Sequence, residues 1–152
     1  MTLRSRAGKE RAVGEQVKLR IPLGIGGVES EEVVVEKLDG PHWLVCSIPA
    51  LCTGVALGDV IVADPVDEIL EFQAVAIPGG NSTLRLLVDP VALHHVRAHL
   101  EALGLRVDQP LSEMLAVNIA PDSPVPGLGV LLDDLVDQDV VHIAPGDQLP
   151  LV

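Results

Sequence analysis

Aromatic side chains are nearly missing from this chain: Trp43 and Phe72 stand alone, and there is no tyrosine. Binding of single-stranded nucleic acid uses aromatic stacking platforms, which this composition does not supply. The core must instead be built from Val, Leu, Ile and Ala. Basic residues are also few, and six of the ten lie within residues 1–20. That segment has a net charge of +4, so the rest of the chain carries −16 toward the total of −12. No Lys or Arg follows residue 106. An acidic body of this kind repels nucleic acid and anionic membranes and attracts basic peptides. Cysteine is limited to Cys46 and Cys52, whose spacing is not the C-x-x-C of a redox pair. The N-terminus has no apolar leader, and no run reaches the roughly 20 apolar residues of a membrane span. These features predict a cytoplasmic protein with reduced thiols, bound neither to nucleic acid nor to a membrane.

What is present is a chain of 152 residues, 48% hydrophobic, long enough to bury about 68–70% of its unfolded surface without a metal or disulfide. Residues 1–15 are polar and basic and read as a flexible arm. Residues 16–80 read as a small β-barrel-like module. "VKLRI" (17–21) offers a first strand, followed by the glycine loop "PLGIGG". No helix follows those glycines, so they do not make a phosphate cradle. "EEVVVEKL" (31–38) and "HWLVCSI" (42–48) flank the turn "DGP" as a hairpin. In "LCTGVALGDVIVAD" (51–64), Gly58-Asp59 divides two apolar runs. Glycine supplies unusual backbone angles and aspartate caps local amides, so "LGD" reads as a turn into a buried strand at 60–63. "EILEFQAVAI" (68–77) gives another strand.

Residues 81–145 change rhythm. "STLRLLV" (82–88) precedes Asp89-Pro90, a helix-start signal with Asp89 as cap. Leu93, Val96, Leu100 and Leu103 then recur at helical spacing, and Gly104 ends the helix. Two strands follow at 105–109 and 113–120. Ser123 is expected to cap a second helix, with Leu128, Leu131, Leu132 and Leu135 as its apolar stripe. A strand at 140–144 completes a ferredoxin-like βαββαβ order, and residues 146–152 are a tail. The fold class expected is therefore α+β, a barrel-like module followed by a ferredoxin-like one.

Candidate chemical residues are scattered. His95 and His99 share a helix face, but no third ligand accompanies them, and His94 points elsewhere. Cys46 lies in an apolar strand, where thiols behave as small hydrophobes. Neither a metal nor a cofactor is expected, and no catalytic residue is assigned. Asp133, Asp134 and Asp137 lie toward the C-terminal end of a helix, where the macrodipole disfavours carboxylates by roughly 0.3–1 kcal/mol each. They offer a docking face for a cationic group. Ser82, Thr83 and Arg85, following "PGGN", offer contacts for an acidic one.

Several motifs together resemble a bacterial family of unknown function, domain of unknown function 4265. They are Ser47-Ile48-Pro49-Ala50, the segment from Gly54 to Asp59, the segment from Gly80 to Arg85, and Leu103-Gly104. The resemblance spans about residues 31–143. The chain departs from it by lacking aromatic residues after Ile48-Pro49. There is also similarity to small accessory proteins encoded with ribosomal-peptide natural-product pathways of the crocagin type, which implies a peptide-binding helper. The leading expectation is a non-catalytic peptide-binding accessory protein, holding a precursor peptide and pairing as a homodimer through a sheet edge. The alternatives are a small peptide cyclase or isomerase using Asp59 or His95, and an immunity-type protein partner.

Overall fold

Strands predominate, with both helices in the second half of the chain, and the fold is α+β. The computed structural model describes residues 11–25 and 28–144. Most of the basic arm, the last two glycines of the "PLGIGG" loop and the tail 146–152 lie outside the described residues. The chain divides into two compact units, Met1–Gly79 and Gly80–Val152.

The first unit holds five strands: β1 (Gln16–Ile25), β2 (Val28–Lys37), β3 (His42–Val45), β4 (Val60–Val66) and β5 (Ile69–Ile77). Consecutive strands pair antiparallel, and one parallel bridge between Arg20 and Glu71 closes the barrel. Period-two alternation fills the interior. Leu19 and Ile21 on β1, Val33 and Val35 on β2, and Trp43 and Val45 on β3 all face it. Irregular register between β4 and β5, at Val60/Ile61 and Val62/Ala63, bends the sheet enough to close. The β4–β5 turn is tight, with Asp67 at φ 51 and Glu68 at φ 69. Positive φ at both central positions matches the twist of the flanking strands.

The second unit runs β6 (Ser82–Val88), α1 (Leu93–Ala102), β7 (Val107–Leu111), β8 (Met114–Ile119), α2 (Leu128–Asp137) and β9 (Val141–Ile143). Its sheet has the order β7-β8-β6-β9, with antiparallel pairs throughout. Leu84, Leu86, Leu115 and Val117 meet Val96 and Leu100 of α1 and Leu128 and Leu132 of α2 in one core. Burying each such side chain contributes roughly 1.5–3 kcal/mol.

Several boundaries differ from those the sequence suggests. Residues 11–15 are not a free arm: Gly14 N–H donates to Lys37 O and Lys37 N–H to Glu15 O, extending the β1–β2 ladder. Strand β3 ends at Val45 rather than Ile48, because Ser47 Oγ takes the Val34 N–H in place of a backbone carbonyl. Asp89 does not cap α1. Its Oδ1 accepts the Val91 N–H in a preceding turn, and the cap position is Ala92. Ser123 does not cap α2 either, since the cap position is Gly127 in a left-handed conformation at φ 89. The reason is Pro126: a residue before proline is pushed out of the helical region, so Val125 cannot begin the helix.

Candidate functional site

The second unit carries a groove of about 560 Å³ beside the start of α2. Its walls come from the end of β8, the loop through residues 120–125, and the first half of α2. Ile119, Val125, Leu128 and Leu132 supply apolar surface, Ser123 and Asp133 supply polar groups, and Ile143 of β9 completes it. Gly129 keeps the helix wall open, with nothing within 4 Å of where a Cβ would stand. Glycine inside a helix is normally unfavourable, so Gly129→Ala is expected to raise stability by about 0.5–1 kcal/mol, read from the urea midpoint. A loss of stability there would show that this wall is tighter than the geometry indicates.

The residues singled out in the sequence are not brought together. Asp133 reaches the groove; Asp134 and Asp137 are exposed on the same helix but form none of its walls. The last turn of α2 contains no basic residue. Ser82 is half-buried at the start of β6. Thr83 and Arg85 are enclosed, at 1% and 4% exposure, so the expected surface contact with an acidic group does not form there. The cause is strand order: β6 is internal to the sheet, between β8 and β9, rather than the lip of a surface turn. Thr83 Oγ1 and Asn118 Oδ1, on register-paired residues, are buried with no hydrogen-bond partner among the described residues.

Asp59 has a structural position. Its Oδ2 accepts the Ala56 N–H at 2.9 Å and its Oδ1 the Gly79 N–H at 2.7 Å. The Asp59 N–H in turn donates to Ala56 O, and Gly58 sits at φ 89. The turn reading of Gly58-Asp59 therefore holds, and both carboxylate oxygens are engaged. A second carboxylate does comparable work nearby. Glu31 accepts the N–H groups of Ala50, Leu51 and Cys52, at 2.6, 3.0 and 2.9 Å. Three successive amides form a concave anion site, and Glu31 fills it from within the chain.

His94, His95 and His99 are all exposed on α1. Among the described residues, no three His, Cys, Asp or Glu side chains assemble as metal ligands. Cys46 and Cys52 are half-buried, and their thiols are not joined in a disulfide. No local sequence signal marks Ser123 and Val125 as groove walls, nor Glu31 as an amide acceptor, since its partners lie 19–21 residues away.

Fold and groove together define an α+β protein with a barrel unit, a helix-covered sheet unit and a cleft beside α2. Residues 31–143 match the family described as Domain of unknown function (DUF4265), and the chain belongs to that family. It is also similar to a crystal structure of a hypothetical protein from Neisseria gonorrhoeae. That likeness has a TM-score of 0.68, 16% identity, and covers 91% of this chain and 100% of that one. At this identity it shows the fold alone. No curated protein matches the chain. No helix among the described residues is long and apolar enough to cross a membrane.

Proposed function

We propose that this protein is a non-catalytic accessory protein that binds a peptide in the groove beside α2. The observation that carries this reading is the groove itself: apolar walls, one carboxylate at Asp133, and a volume within the roughly 300–1,000 Å³ usual for ligand sites. The acidic charge of the surrounding segment favours a peptide with a Lys, Arg or free amine near its apolar anchor. The arrangement β6-α1-β7-β8-α2-β9, with sheet order β7-β8-β6-β9, supports reading the second unit as ferredoxin-like. Its edges are poor templates for strand addition. β7 contains Pro110 and an irregular register, and β9 has only three residues. The groove is therefore the better seat. Similarity to natural-product accessory proteins makes a ribosomally made precursor the peptide class to try first.

Calorimetric titration with apolar peptides of matched length, cationic or acidic, tests the reading. Cationic peptides are expected to bind. Asp133→Asn should weaken them about three- to tenfold, equivalent to about 1 kcal/mol. Gly129→Leu should fill the groove and abolish binding while leaving the folded state intact. Absence of binding to any cationic peptide would sink the reading, as would a change in peptide mass caused by this protein alone.

A further inference from the structure

The first unit has a cavity of its own, about 520 Å³, at the barrel end where the β2–β3 and β4–β5 hairpins turn. Trp43, the sole tryptophan, lines it and is only 3% exposed. Its indole Nε1–H has no hydrogen-bond acceptor among the described residues. The two cations of the wall are already engaged. Lys37 Nζ lies 5.5 Å from the Trp43 ring centroid and donates to the carbonyls of Leu38 and Gly40. Arg11 pairs with Glu15 at 3.0 Å. The carboxylates of Asp39, Asp64 and Glu68 also line the cavity, and no hydrogen bond or ion pair engages them among the described residues.

The cavity thus sets the nearly buried Trp43 beside three exposed carboxylates, with Leu38, Pro65 and Leu70 between. Its complement is an acceptor beside a cation carried on an aliphatic stem. We propose that this cavity binds a short cationic peptide segment of a partner, taking a main-chain carbonyl on the Trp43 indole N–H and an Arg or Lys side chain against Asp64 and Glu68. The apolar wall covers the stem of that side chain, as long basic side chains commonly require. The negative charge of the body, −16 outside residues 1–20, draws such a segment in. This site lies in a different unit from the α2 groove and stands independently of it.

With one tryptophan and no tyrosine, intrinsic emission reports on this cavity alone. The full chain is titrated with the acetylated, amidated tripeptide Ala-Arg-Ala, with Ala-Glu-Ala and Ala-Ala-Ala as controls. Only the arginine peptide is expected to give a saturable change in Trp43 emission. The double variant Asp64→Asn with Glu68→Gln, which changes two exposed side chains, should weaken it about tenfold or more. Raising salt from about 0.05 to 0.5 M should weaken it several-fold, because rim charges are screened. Trp43→Phe, followed by calorimetry, should lose affinity through the missing N–H. Asp133→Asn should leave the response unchanged, so failure of the α2 groove and failure of this site read out separately. The proposal is overturned by no response to the arginine peptide, by an equal response to the glutamate peptide, or by full affinity in the double variant.

Discussion

Asp59→Ala is expected to destabilise the first unit by about 3–5 kcal/mol, because it strips the acceptor from two backbone amides at once. The Asp59 side chain is buried, at 5% exposure, and its two oxygens hold Ala56 N–H and Gly79 N–H. Leaving a buried donor without a partner costs about 1–3 kcal/mol, and hydrogen bonds to a charged acceptor are at the stronger end. The close approach of Gly79 shows how tight the corner is: a Cβ there would stand 2.5 Å from Gly58 O. Asp59→Asn keeps the shape and one acceptor oxygen, so its cost should fall between wild type and alanine. Thermal and urea midpoints measure both variants, and a fall of about 12 °C or more is expected for alanine, at about 4–8 °C per kcal/mol for a unit of this size. Wild-type stability in Asp59→Ala would free the carboxylate from this duty and return it to consideration as an acid–base group.

Glu31→Ala is the second large effect. Three successive amides, those of Ala50, Leu51 and Cys52, converge on that one carboxylate. Glu31 is only partly buried, so water replaces some of what is lost, and the expected cost is about 2–3 kcal/mol. Hydrogen exchange localises the effect. Amides 50–52 should exchange about 30- to 150-fold faster, at about 1.4 kcal/mol per factor of ten. Glu31→Gln should recover part of this, since its one oxygen can still accept while its NH₂ faces a donor. Unchanged protection of those three amides in Glu31→Ala would refute the assignment.

Both carboxylates show why fold and site were unequally legible. Gly58-Asp59 announces a turn locally, because a glycine free to take positive φ precedes a short side chain able to cap amides. The Ala56 contact lies three residues away and follows from that pattern. The Gly79 contact lies twenty residues away and does not. Likewise the stripes of α1 and α2 were readable, because a 3.6-residue period is local. The helix caps fall elsewhere, because Asp89 Oδ1 closes a preceding turn on the Val91 N–H and Pro126 delays the start of α2, although Asp89 and Ser123 are good caps in isolation. Arg85 and Thr83 looked like surface contacts only while the position of β6 within its sheet was unknown.

The sequence alone determined the family, the α+β class, the Val/Leu/Ile core and the acidic exterior, since each depends on composition, motif or short-range period. The tertiary structure decided which carboxylates hold backbone amides, which aspartate reaches a groove, and that Trp43 lines a cavity. Those facts depend on pairings between distant residues, and such pairings are fixed by strand order and packing rather than by any neighbour along the chain.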